Sequence, residues 1–224
     1  MRLASTAAAA VLVLCTATLA CTAAPSTPPK ARVRNHPELA AEVVRVSAAA
    51  LGVTYRPGCP VGPDRLRLIR MNHWGFDGTV HRGELVVHER AVNPLLRVFG
   101  KAFDAGFPIR RMRSTAAYGG DDVRSMADDN TSAFNCRQVT GDPGRLSRHA
   151  HGDAVDVNPV ENPYVDRRGT PRPADGRPHL RRDRPVRGMI RPGDVITRAF
   201  DEVGWHWGGD WSNPDYQHFS ATGG

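Results

Sequence analysis

Three short segments in the second half of the chain hold residue types that can do chemistry: Ser147–Pro159 (SRHAHGDAVDVNP), Gly204–Trp211 (GWHWGGDW) and Asp215–Phe219 (DYQHF). In the first, Ala154 to Asn158 alternates apolar and polar residues. A strand there sends Asp156 and Asn158 to one face and Val155 and Val157 to the other. A carboxylate on an otherwise apolar strand has to be solvated, paired or bound to a metal. His149 stands seven residues before Asp156, across His151-Gly152-Asp153, where glycine permits a tight change of direction. His151 is its rival as a ligand, because residues two apart on a strand share a face. Near the other end, His218 follows Asp215 by three residues. Two His nitrogens and one carboxylate oxygen leave a position open for water, the arrangement of catalytic rather than structural zinc. Zinc lowers the pKa of such a water to roughly 7. A carboxylate beside it can take the proton and hand it to a leaving amine, and Asp215 is the candidate. On a flat strand Asp215 and His218 would face opposite ways, so the segment must turn or bulge.

Other elements have to hold these segments in place. From Pro37 to Leu51, Leu39, Val43, Val46 and Ala50 recur at helical spacing, and Gly52 stops the run. Leu66–Asn72 and Glu84–Arg90 read as strands on either side of the turn-rich GFDGTVHRG. Asn93-Pro94 reads as a cap with Pro at the first helical position, and Leu95, Leu96, Phe99, Ala102 and Phe103 line one face of the helix that Gly106 ends. Asp194 caps a further helix whose Ile196, Ala199, Phe200 and Val203 face inward before Gly204. GWHWGGDW is too rich in Gly and Trp for a regular helix and reads as a shaped pocket wall. Pro163–Pro192 holds nine Arg and six Pro with almost no apolar periodicity. It reads as a solvated surface insertion that attaches to anionic wall polymers without touching the chemistry.

The chain has 224 residues, 40% of them hydrophobic and 7% aromatic, with 22 Gly and 18 Pro. That suffices for one core with many loops and excludes a collagen-like or coiled-coil chain. Thirty Lys+Arg against 23 Asp+Glu give a formal charge of +7, which suits anionic partners. All the basic residues but Lys30 and Lys101 are Arg, scattered rather than gathered into a stripe, so no nucleic-acid partner is expected. Arg2, the uncharged run Leu3–Ala20 and the small residues after it follow the order of a secretory signal peptide, here 1–24. A Pro-rich linker, 25–36, separates it from a domain over 37–224. The expected location is outside the cell or at the wall. Cys21 resembles a lipoprotein cysteine, except that Leu19 stands two places before it where that pattern wants three. Export leaves Cys59 and Cys136 as the pair in the body of the protein, and an oxidising compartment joins them.

The run Ser-x-His-x-x-Gly-x-Ala-x-Asp, carried by Ser147, His149, Gly152, Ala154 and Asp156, resembles the zinc peptidases that include D-Ala-D-Ala carboxypeptidases and L-Ala-D-Glu endopeptidases. GWHWGGDW and DYQHF look like the same family's closing motif, and Tyr118–Asp122 with Asn130–Arg137 look like an exported, wall-directed branch. The resemblance spans about Cys59 to Phe219. It implies one Zn2+ per chain on His149, Asp156 and His218, with Asp215 as general base, and it passes over His151. It implies a small α+β fold: a mostly antiparallel sheet carrying the zinc site on its face, with helices on one side. It also implies an Arg for the substrate carboxylate; Arg137 is the choice and Arg113 the rival, since the Ser-Gly-Tyr strand that precedes this Arg in the family is missing here. Ser147 and Trp207 are expected beside it as substrate contacts. Several members carry Glu where Asp215 stands, which changes reach but not role. The substrate so implied is a peptidoglycan stem peptide, cut by a monomer acting as carboxypeptidase or endopeptidase. A non-catalytic wall-binding module on the same fold and a secreted polyanion binder are the other readings. Asp215 argues against the module, which has no need of a base beside an open metal position.

Overall fold

The computed structural model describes residues 37–139 and 142–223. The expected leader and linker, with Cys15 and Cys21, lie outside the described residues. β1 (Glu42–Arg45), α1 (Ala48–Leu51), β2 (Leu66–Trp74) and β3 (Val80–His88) open the fold, the three strands forming an antiparallel sheet in the order β1-β2-β3. α2 (Val92–Asp104) follows and buries Leu95, Val98, Phe99, Ala102 and Phe103. Leu95, Val98, Phe99 and Ala102 share one core with Ile69, Met71 and Leu85 of the sheet. β4 (Arg111–Met112) and β5 (Asn130–Thr131) pair in parallel with α3 (Asp122–Ala127) between them in the chain. β6 (Gln138–Val139) pairs antiparallel with β7 (Asp142–Leu146). Then come β8 (Ala154–Asp156), β9 (Tyr164–Val165), β10 (Pro171–Arg172), α4 (Val195–Asp201), β11 (His206–Trp207) and β12 (His218–Ser220). β9 and β10 pair antiparallel, and a second antiparallel sheet runs β11-β12-β8. The fold is α+β, with several small, mostly antiparallel sheets in place of one.

The helix expected over Pro37–Leu51 is not there: its first half is β1, and α1 is a single turn. Val43 and Val44 pair with Ile69 and Leu68 across the β1–β2 ladder. Leu39 O accepts from Asn72 N at 2.7 Å, and Ala40 has φ 44°. β-branched residues prefer this pleated surface, and the backbone bonds offered by β2 outweigh a short helical pattern. The turn between β2 and β3 is tighter than its composition implies, closing at Gly75 N to Thr79 O (2.8 Å), so both strands grow towards it. At the far end β3 stops at His88, short of Arg90. α2 begins at Val92, which leaves Asn93 and Pro94 inside its first turn, where a missing N–H is harmless. α4 keeps its expected cap, Asp194 Oδ1 accepting from Thr197 N at 3.4 Å.

Cys59 and Cys136 form a disulfide across 77 residues of chain. It ties the segment before β2 to the run leading into β6, where Cys136 N also donates to Thr54 O (3.0 Å). Closing a loop of that length restricts the unfolded chain by about 4 kcal/mol. The variant Cys59→Ala/Cys136→Ala is expected to lose stability of that order in urea unfolding. A midpoint equal to that of the wild type rules the contribution out.

Asn158 interrupts the alternation read from the sequence. It is left-handed (φ 46°), so β8 ends at Asp156 and Asn158 leaves the site face. Its side chain accepts from Arg110 N (3.1 Å) and donates to Pro108 O (2.9 Å) and Gly188 O (3.2 Å), tying the loop before β4 to the loop before α4. Just beyond, burial first and then the neighbouring Asp129 carboxylate push the Glu161 carboxyl up to about 8. The unfolded chain releases this proton near pH 4.5 and the folded one near 8, so stability falls as pH rises between those values and is level above. Glu161→Gln, which keeps a neutral hydrogen-bonding side chain, is expected to flatten that stretch of the stability–pH curve. An unchanged slope between pH 5 and 8 speaks against the raised pKa.

Candidate metal centre

β8 and β12 set half of the centre. Their antiparallel register places His218 directly opposite Asp156, and His218 Nδ1 lies 3.0 Å from Asp156 Oδ1. His149 arrives on a separate element, a 3-10 turn at Arg148–His151. Ser147 Oγ caps this turn by accepting from His149 N (3.3 Å). Gly152 ends it at φ 67°, where its O accepts from His88 N of β3 at 2.8 Å. An added Cβ at Gly152 would stand 2.6 Å from that same nitrogen, so only glycine lets the turn dock on β3.

The three side chains are buried, and their ligand atoms lie within 4.8 Å of one another. His149 Nε2 is 3.1 Å from Asp156 Oδ2 and 3.3 Å from His218 Nδ1. Donor atoms about 2.0 Å from one tetrahedrally coordinated ion lie about 3.3 Å apart, so the set fits zinc. The other nitrogen, His149 Nδ1, lies 2.6 Å from Ala133 O. Donation to that carbonyl leaves the Nε2 lone pair facing the cluster, the orientation that metal-binding histidines use. Burial opposes a charge on Asp156, yet the two imidazoles outweigh it and hold its carboxyl well below the usual range. Burial also lowers His218, which favours the neutral imidazole a metal needs.

Asp215 lines the same cleft, half-buried, with its buried Oδ1 lacking a hydrogen-bond partner among the described residues. Burial first and the Asp156 charge second push its carboxyl well above the usual range. The required turn is present: His218 N donates to Asp215 O at 3.1 Å. Gly208 allows close approach here, since a Cβ there would sit 2.7 Å from Asp215 O. The cleft has a volume of about 390 Å3.

Of the substrate contacts expected from the sequence, Arg137 and Ser147 line this cleft. Arg137 is pinned by Asp122 (Nη2 to Oδ2, 2.9 Å), while its buried Nε has no partner. Arg113, its rival, is absent from the lining; its backbone instead exchanges hydrogen bonds with the Asn130 side chain. Trp207 does not line the cleft. It is buried in the core beside Phe219, its Nε1 donating to Tyr216 O at 2.9 Å. Trp211 lines the cleft in its place, with its ring centroid 5.4 Å from that of His218. Period two along β11 sends Trp205 and Trp207 inward together, and only the next ring escapes to the cleft. His151 does not line the cleft.

The sequence reading also missed Asp122, Tyr164 and Gln217 as wall residues. Asp122 opens α3, whose Asp121 cap was its one local signal. Segment 163–192, read as a solvated insertion, forms β9, β10 and a 3-10 turn, and it buries Met189 and Ile190. Its Tyr164, Arg167 and Arg172 reach the cleft.

Residues 140–221 match the family model described as D-alanyl-D-alanine carboxypeptidase, a stretch that holds all three cluster residues and Asp215. The match covers less than half of the chain and supports a peptidase. Neither a curated protein nor a solved structure matches the chain. Among the described residues no helix is long and apolar enough to cross a membrane.

Proposed function

We propose that this protein is an exported zinc peptidase that hydrolyses peptidoglycan stem peptides, as a D,D-carboxypeptidase or an L-Ala-D-Glu type endopeptidase. One observation carries the reading: a buried His-Asp-His cluster of zinc-like spacing shares a cleft with a half-buried carboxylate, whose Oδ1 has no hydrogen-bond partner among the described residues, and a guanidinium. His149, Asp156 and His218 hold one Zn2+, which when bound supplies Lewis-acid activation of water and of the scissile carbonyl. Asp215 is the general base: its Oδ1 takes the proton of the attacking water and passes it to the leaving amine nitrogen. The carboxyl of Asp215 would be favoured in the ionised form that a base needs once a cation held by His149, Asp156 and His218 offsets the Asp156 charge. Arg137, held in place by Asp122, offers its Nε and fork to the substrate carboxylate. Trp211 and Ser147 shape the wall. The disulfide fits an oxidising compartment outside the cytoplasm, and the protein acts there as a monomer.

The test is mass spectrometry of purified muropeptides incubated with the zinc-loaded protein. Loss of one terminal alanine marks a carboxypeptidase, and cleavage within the stem marks an endopeptidase. Intact muropeptides alongside retention on isolated walls would instead assign the fold to wall binding.

A further inference from the structure

We propose that Arg167 and Arg172 form an outer subsite for a second carboxylate, so that the protein selects stem peptides whose branch carboxyl is free over those in which it is amidated. The inference rests on the peptidase reading and goes beyond it by naming what distinguishes one stem peptide from another.

Five guanidiniums line the cleft: Arg137, Arg145, Arg148, Arg167 and Arg172. Each of the first three is paired with a carboxylate, although Arg137 keeps an Nε with no partner among the described residues. Arg137 pairs with Asp122, Arg145 with Asp142 at 3.0 Å, and Arg148 with the fully buried Asp153 at 2.6 Å. Arg167 is exposed and makes no hydrogen bond or ion pair among the described residues. Arg172 has only a loose partner, Asp166 at 3.9 Å. These two charges are therefore left for a ligand. Other arginines of the same segment are used internally: Arg182 donates to Asn162 Oδ1 (2.9 Å) and packs on Tyr216, and Arg181 pairs with Asp183.

The two guanidiniums are presented by an ordered element. Arg172 stands opposite Tyr164 in the β9–β10 ladder, and Tyr164 in turn bridges to Asp215. Val165 N donates to Pro214 O at 2.8 Å, so β9 is bonded along the segment that carries Asp215. Asp166 Oδ1 accepts from Arg168 N (2.8 Å) and Thr170 N (3.0 Å), which folds the turn between the strands. Arg137 is largely covered and its charge acts on Asp215 and His218, whereas Arg167 and Arg172 are exposed. A ligand reaching both needs two negative groups, one at the reacting end and one on the part that emerges. A peptide linked through the side chain of glutamate keeps such a free carboxyl, and amidation removes its charge with little change of shape. A guanidinium fork pairs with a carboxylate through two charged hydrogen bonds and has no such pairing with an amide.

The experiment compares two otherwise identical muropeptides, one with the branch carboxyl free and one amidated, on the wild type and on Arg167→Gln/Arg172→Gln. Each is measured as kcat/KM on the zinc enzyme and as equilibrium binding to Asp215→Asn protein. Two exposed ion pairs correspond to a preference of about tenfold for the free acid, mostly in KM and shrinking at high salt. The double variant is expected to bring the ratio close to one with zinc content unchanged. Equal use of both peptides by the wild type overturns the subsite and leaves the peptidase standing. A binding preference without cleavage keeps the subsite and removes the peptidase. No binding of either peptide ends both. A double variant that keeps its peptide ratio but loses retention on isolated walls assigns these arginines to polymer attachment instead.

Discussion

Asp215→Asn is expected to keep one zinc per chain while kcat falls about 100- to 10,000-fold, with a smaller change in KM. The amide has the volume of the carboxylate, and none of the three cluster side chains is altered. What is lost is the ability to accept a proton at Oδ1, the atom that has no partner among the described residues. A purely orienting role predicts a different pattern. Partners that orient a metal-bound histidine change metal affinity about 10- to 100-fold when removed. Asp215 reaches His218 through its backbone carbonyl, which the substitution leaves in place. Zinc affinity and kcat measured on one preparation separate the two roles. Tight zinc with near-normal turnover would falsify both and favour a wall-binding module.

His149→Ala is expected to remove zinc and activity together, whereas His151→Ala keeps both. They stand two positions apart, yet His149 Nε2 faces Asp156 and His218 while His151 stands outside the cleft. Alanine at 149 also strands Ala133 O, a buried acceptor that loses its side-chain partner at a cost of about 1–3 kcal/mol. His149→Gln, whose amide can still donate to that carbonyl, therefore separates metal loss from unfolding. Elemental analysis after dialysis, with a thermal melt of each variant, is the measurement. Zinc retained by His149→Gln and lost by His151→Ala reverses the ligand assignment.

The cluster was legible because its residue types are costly to bury without a partner. Asp156 between valines needs a counter-charge or a metal wherever the strand lies. Its supporting elements were legible where burial imposed a period, as in α2 and α4. β1 was misread because four apolar residues at helical spacing are also compatible with a short strand, and only β2, distant in sequence, decides between them. Trp207 and Trp211 have the same composition around them, and the direction each ring takes depends on the pairing of β11 with β12. Segment 163–192 looked unstructured because its order comes from single polar anchors such as Arg182 and Asp166, which leave no periodic trace. Asp122 was invisible as a site residue because its partner Arg137 lies beyond α3 and β5.

The centre is assembled from parts of unequal stiffness. Asp156 and His218 are fixed by a ladder that runs through the middle strand of a sheet, so separating them means breaking that sheet. His149 hangs on one short turn, anchored by the Ser147 cap at its start, Ala133 O at its ring and the Gly152–His88 bond at its end. Exchange of the ion with solution would then follow the opening of that turn, on the timescale of local fluctuations, with the rest of the domain remaining folded. Changes to Ser147 or Gly152 would alter how long an ion stays more than how well it is coordinated, giving residence time a structural address separate from that of ligand geometry.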